Sequence, residues 1–239
     1  MQSFGPNIWI AEGPTVQAAA GFAYPTRMAV IRLASGDLVI WSPVALSDGL
    51  LGEVAALGMV RYLVAPNSLH DSFLADWQRA CPGATVCAPP GLREKRPDIR
   101  FDFDFSDGSI AGWAGEIDFA IIAGNRITTE VVFFHHASQT TLVTDLVQQF
   151  SRGWFSGWRA VIARLDLMIA DQPSVPRKFR LAFTDRNAAR QSLASVLEWP
   201  TERLVLAHGP LIGSGGQAVL RHAFGWLMKH SSADSSSTR

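Results

Sequence analysis

The sequence predicts an α/β (α+β) protein: a four-layer αββα sandwich, two mixed β-sheets packed face to face with helices outside. Three observations carry this expectation. Short β segments come first and a helix comes after them, and the second half of the chain repeats that grammar. Strands and helices mix at both ends of the chain. Its 239 residues, 48% hydrophobic and 18% charged, suit a compact globule with one sizeable core rather than a disordered chain.

In order, "NIWIAE", "RMAVIRL" and "DLVIWSP" read as strands. "SDGLLGEVAALG" reads as a helix opening on an N-cap at Ser47 and closing at Gly58. "VRYLVAP" is a buried strand. "SLHDSFLADWQRAC" carries Leu69, Phe73, Leu74 and Trp77 at helical spacing, with Ser68 as its cap. "ATVCAP" is a short strand, and the Gly-, Pro- and charge-rich residues 89–109 read as loops. In the second half "IDFAIIAG", "TEVVFFH" and "TTLVTDL" are strands, joined by turns containing Gly124-Asn125 and Ala137-Ser138-Gln139. A helix runs from about Trp154 to Ala170, and another over "DRNAARQSLASVLEW" is capped by Asp185. "RLVLAHGP" is the last strand and "GGQAVLRHAFGWLMKH" the last helix. There is no convincing internal repeat. A single domain over 1–230 is expected, with a disordered polar tail at 231–239.

Lys and Arg balance Asp and Glu at 21 each, so no electrostatic footprint for nucleic acid or an anionic membrane is present, and a nuclease reading loses support. No apolar run reaches the 18 residues of a spanning helix, and "MQSFGPNIWIAEG" does not read as a signal peptide. Cys81 and Cys87 form no close C-x-x-C pair and no disulfide framework. The expectation is a cytoplasmic protein without a membrane or nucleic-acid partner. Its partner is a small-molecule substrate or ligand, and a homodimer is a candidate assembly.

Three strand ends carry polar residues, where loops gather and sites are built. His70 and Asp71 come after the "VRYLVAP" strand, as a metal-ligand or acid–base pair, or as a helix first turn in which Asp71 favours the dipole. Asp145 ends an apolar strand, where a carboxylate is costly to bury unless paired or bound to metal; alternatively it caps the next segment of the chain. His208 ends another and is turned by Gly209-Pro210, either as a ligand or as a hydrogen-bonded histidine. His135 and His136 are adjacent on a strand and point to opposite faces, so they form no two-ligand clamp and read as structural or hairpin-tip residues, the lesser alternative being a catalytic role. Trp154, Trp158, Val161, Ile162, Leu165 and Met168 share one helical face, with Arg159 off it. That face reads as core- or dimer-facing, the alternative being an aromatic lid or a membrane-surface helix with a thin basic face. "IGSGGQ" could set amides at an anion but lacks the Walker Lys-Ser/Thr.

The order of these pieces, from "RMAVIRLASGDLVIWSPV" to "LAHGPLIGSGGQAVLRHAFGWL", resembles the metallo-β-lactamase superfamily, and within it the DUF4336 branch. The family's His-x-His-x-Asp-His motif after a strand falls here on "NSLHDS", which sets Asn67, Leu69, Asp71 and Ser72 on its four positions. The Gly-His turn falls on "AGNR", with Asn125 at the histidine. The bridging Asp falls on Asp145, and the final His-Gly on His208-Gly209. Asp71, Asp145 and His208 keep the expected type, and His70 lies one residue out of register. The resemblance implies a reduced site in which Asp71, Asp145 and His208 hold one divalent ion (zinc, iron or manganese). His70 is an extra ligand or, with Asp71, an acid–base group, and a metal-bound water is the nucleophile of a hydrolase. The alternative is a non-catalytic descendant of the fold, without metal, that binds a small molecule or a protein.

Overall fold

The structure, a computed structural model, describes residues 1–228. The tail expected at 231–239 and the end of the expected 1–230 domain lie outside the described residues. Seven strands form the first sheet in sequence order: β1 (Gln2–Gly5), β2 (Ile8–Gln17), β3 (Ala23–Arg32), β4 (Asp37–Trp41), β5 (Met59–Val64), β6 (Thr85–Ala88) and β7 (Phe103–Asp104). β1 to β4 pair antiparallel, and β4 to β7 parallel. The second sheet contains β8 (Ile117–Ile122), β9 (Glu130–His135), β10 (Thr140–Val143) and β11 (Arg203–Leu206), in the order β11-β10-β9-β8. β8, β9 and β10 are antiparallel neighbours, whereas β10 and β11 run parallel.

The four layers arise from strand alternation. Ala29 and Ile31 of β3 and Val39 and Trp41 of β4 meet Val131, Phe133 and Leu142 of the second sheet in the central core. Their neighbours Met28, Val30, Leu38 and Ile40 point the other way, onto α1 (Asp48–Ala55), α2 (Leu74–Ala80) and α3 (Leu92–Lys95) through Val54, Trp77 and Leu92. On the far side Val132, Val143 and Leu204 pack on α5 (Arg177–Ala182), α6 (Arg186–Glu198) and α7 (Gly216–Met228). Strands covered on both faces, such as the Val131–Phe134 run of β9, are apolar at successive positions, the pattern of a sheet buried on both sides.

The caps are local. Ser47 accepts from the Leu50 amide and Asp185 from the Ala188 amide, each satisfying a free N–H of a first turn. Gly124 turns β8 toward β9 with φ of +82°, and any Cβ there would meet the Asp185 carbonyl.

Four stretches differ from the sequence expectation. β1 is additional, and α3 and β7 lie within the 89–109 loops. The helix expected from Ser68 starts at Leu74, because Asn67 Oδ1 accepts from the Leu69 and His70 amides and curls 67–70 into a turn. The helix expected over 154–170 is α4 (Gly157–Leu165), and the face carrying Trp158, Val161, Ile162 and Leu165 is exposed rather than turned to the core. Cys81 and Cys87 are free thiols. Among the described residues no helix is long and apolar enough to cross a membrane.

Candidate functional site

Four strands deliver the site from one direction. β4 and β5 are parallel, as are β10 and β11, so each pair ends on a common edge. Just beyond those ends stand Ser42 after β4, Asn67 and His70 after β5, Asp145 after β10 and His208 after β11. The crevice beyond the carboxyl ends of parallel strands is where loops can converge on a ligand.

His70, Asp145 and His208 meet there, each offering a donor atom within 4.8 Å of the others. The two Nε2 atoms are 3.1 Å apart. Asp145 straddles them, with Oδ2 at 3.3 Å from His70 Nε2 and Oδ1 at 3.4 Å from His208 Nε2. Behind each ring the Nδ1 is tied back: His208 Nδ1–H donates to the Pro25 carbonyl at 3.0 Å, and His70 Nδ1 lies 2.9 Å from Ser42 Oγ. The Pro25 bond fixes the tautomer that leaves a lone pair on His208 Nε2, as outer partners of metal-binding histidines do. Ser42 holds its position with φ of +52°, a left-handed conformation that a non-glycine residue seldom adopts.

The Asp145 carboxylate is buried, and burial pushes its pKa up, but the facing His70 and His208 rings win and hold it well below the usual carboxylate range. Burial pushes the His208 ring down, against the upward pull of Asp145, so the neutral imidazole is favoured. These separations fit an ion. Donors bound at about 2.0–2.1 Å in a tetrahedron lie about 3.3 Å apart. Imidazole nitrogen and carboxylate oxygen suit zinc, iron or manganese.

A second tier holds the first. Asn67, fully buried, turns its amide nitrogen to Asp145 Oδ2 and Thr144 Oγ1, both at 2.8 Å, and to Glu130 Oε2 at 3.3 Å. Glu130, also fully buried, accepts from the backbone amides of Thr144, Asp145 and Leu146 at 2.7–3.1 Å and so shapes the turn that presents Asp145. Burial and the nearby Asp145 charge raise its pKa, which those amide donors oppose. Arg27, from β3, crosses to the second sheet and donates Nη1 to the Leu206 and Gly209 carbonyls, clamping the turn that carries His208.

The remaining expected residues lie elsewhere. Asp71 sits outside the cluster, its Oδ2 3.3 Å from Arg96 Nη1 and 3.7 Å from Lys95 Nζ, so its carboxylate is engaged by cations from α3 and its C-terminal end. Leu69 is 47% exposed and Ser72 is exposed. Asn125 donates to the Phe179 carbonyl and accepts from the Ile127 amide, away from the histidines. His135 is buried against Ser138 Oγ at 2.7 Å, while His136 faces out to Asp118. Ser42, Arg27 and Glu130 were not legible as site residues. The one available signal was a carboxylate, Glu130, opening the apolar run "EVVFF".

A cavity of about 380 Å³ opens onto His70, Asp145 and His208. Tyr24 and Lys178 line it, the Lys178 ammonium donating to the Tyr24 hydroxyl at 2.9 Å, and the Tyr24 ring stands edge-on to His208 at 5.0 Å. Val16, Leu69, Ile127 and Phe179 give it apolar walls.

The family model described as "Domain of unknown function (DUF4336)" matches residues 6–156. No curated protein sequence matches the chain. Among solved structures the chain is similar to a metallo-beta-lactamase from Pontibacter korlensis, at 14% identity and a TM-score of 0.61 over 96% of this chain and 98% of that one. It is similar to the metallo-beta-lactamase FIM-1 from Pseudomonas aeruginosa in its mono-zinc form, at 10% identity and 0.60 over 95% and 96%. The metal-soaked Flv1 flavodiiron core from Synechocystis sp. PCC6803 matches at 13% identity and 0.62, over 93% of this chain and 59% of that one. At these identities the likeness shows the fold.

Proposed function

The chain belongs to the DUF4336 family and has the metallo-β-lactamase fold, and from that premise we propose that it is a hydrolase of a small molecule, dependent on one divalent cation held by His70, Asp145 and His208. The observation that carries this reading is the convergence of two Nε2 atoms and one carboxylate at 3.1–3.4 Å. When bound, such a cation supplies Lewis acidity and activates water toward a carbonyl, thioester or phosphoryl centre.

The chain's own residues do the rest. The Pro25 carbonyl keeps the proton of His208 on Nδ1, and Ser42 Oγ fixes the orientation of the His70 ring. Asn67 keeps the Asp145 carboxylate from turning away, and Glu130, accepting from the Asp145 amide, fixes the backbone turn that presents it. Tyr24 accepts from Lys178 and so has its own hydroxyl proton free to donate to a substrate oxygen in the cavity, where Lys178 adds positive charge. Apolar walls exclude water from the rest of the bound molecule.

Elemental analysis of protein purified without a metal-chelating tag tests this reading. The expected result is about one equivalent of zinc, iron or manganese per chain, lost in Asp145→Ala, together with hydrolysis of ester, thioester or phosphodiester probes. Protein that stays metal-free in excess zinc, iron and manganese overturns it. One observation favours a second reading, a non-catalytic binding protein: Asn67 stands where the resembled motif has its first histidine, and it closes the Asp145 cluster by hydrogen bonds alone. Stability unchanged by a chelator supports that reading.

A further inference from the structure

We infer that α4 is a docking face for an anionic lipid surface. Trp158, Val161, Ile162 and Leu165 are spaced i, i+3, i+4 and i+7, which puts them on one stripe of the helix. They are 52%, 56%, 43% and 60% exposed, and Trp154 just before the helix is 40% exposed. Ala163 is the buried residue of α4. The helix therefore rests on the protein through Ala163 and one face of Trp158, which packs on Phe22, and turns Val161, Ile162 and Leu165 outward, the reverse of a surface helix that serves a core.

Charge decides what covers the stripe. α4 contains Arg159 and Arg164 and no acid. Over 151–171, Arg152, Arg159 and Arg164 stand against Asp166 and Asp171, and Arg152 pairs with Asp171, so the positive charge beside the stripe is that of Arg159 and Arg164. The Arg159 guanidinium lies 4.7 Å from the Trp158 ring centroid, so cation and aromatic sit together. Exposed tryptophan and aliphatic residues flanked by arginine match the boundary between headgroups and acyl chains of a bilayer containing anionic lipid. A second copy matches less well: two-fold pairing about the centre of the stripe sets arginine against arginine with no acid on the helix between them.

The face also adjoins the cavity. Arg159 Nε donates to the Ala20 carbonyl, and Phe22 packs edge-on against Phe155 and Trp158, while Val16 and Tyr24 on either side of that hairpin tip line the cavity. Docking through α4 brings the cavity mouth near the lipid surface. The inference is independent of the ion site.

Co-sedimentation of the full chain with phosphatidylcholine vesicles, with and without phosphatidylglycerol, tests it, with a tryptophan emission blue-shift as a second readout. The expected result is binding to the anionic vesicles that weakens with salt. Ile162→Asp reduces it at least about tenfold, while circular dichroism and Tm stay unchanged because the side chain is exposed. Arg164→Gln lowers binding to the anionic vesicles alone. Absence of binding to either vesicle overturns the inference, as does undiminished binding by Ile162→Asp. A dimer in sedimentation equilibrium that Ile162→Asp converts to monomer, without vesicle binding, overturns it in favour of self-association.

Discussion

His70 Nε2 and His208 Nε2 lie 3.1 Å apart although 138 residues separate them in the chain. Each ring is steered from behind by a group on the first sheet, the Pro25 carbonyl or Ser42 Oγ, and Asp145 lies across both. A cation held between them, as proposed, would bind the folded chain alone. At zinc about 100-fold above its Kd, the unfolding free energy should rise by about 2.7 kcal/mol. Denaturant melts with and without zinc measure the gain, which Asp145→Ala and His208→Ala should abolish.

Asn67 is the hub of the second tier, and its removal should be felt at the ion. Asn67→Ala should weaken metal affinity about 10- to 100-fold. It should also destabilise the fold by about 2–3 kcal/mol, since buried partners are left unpaired. A competition titration against a chelating dye reads the first effect and urea unfolding the second. Leu69→Ala, on an exposed side chain, should change neither.

Arg27 joins the two sheets at the His208 turn, and Glu12, its acidic partner, is more than half exposed. Arg27→Met should therefore act chiefly through the Leu206 and Gly209 carbonyls it leaves unpaired, at about 2–4 kcal/mol. Hydrogen exchange should show the loss concentrated in β11 and the residues after it, and metal affinity should fall with it.

His135 supplies a pH dependence outside the site. Burial, with a smaller push from His136, lowers its pKa from 6.5 to about 4. As pH falls through 6.5 the unfolded chain takes up a proton that the folded chain refuses, so stability is lost between pH 6.5 and about 4 and this contribution is flat below. The loss amounts to about 3 kcal/mol. His208, also lowered, slopes the same way. Urea unfolding against pH should show a shallower slope in His135→Asn than in the wild type across that window.

The elements were legible where apolar periodicity is long. The α6 cap at Asp185 and the main strands of both sheets depend on residues close in sequence. Asp145 and His208 stood out because each interrupts an apolar strand just at its end. The placement of His70 depended on Asn67 bending its own backbone, which the spacing of the motif does not reveal. Asp71 has a ligand's residue type and motif position, and its carboxylate lies beside Arg96, 25 residues on, a contact that no local pattern announces. Glu130 works by accepting amides from a turn 14–16 residues away, so no local pattern announces it. For α4, spacing identified which residues share a face, but not whether that face turns inward or outward.

The strand order β11-β10-β9-β8 has a consequence for the growing chain. β10, buried along its whole length, hydrogen-bonds to β11 on one side, and β11 begins 60 residues after β10 ends. Until Arg203–Leu206 has left the ribosome, the nascent protein carries an open, uncharged strand edge at Thr140–Val143, a template for pairing with another chain. A product cut short before Arg203 is thus an aggregation hazard as well as an incomplete site, and timely synthesis of the last strand acts as a safeguard of solubility.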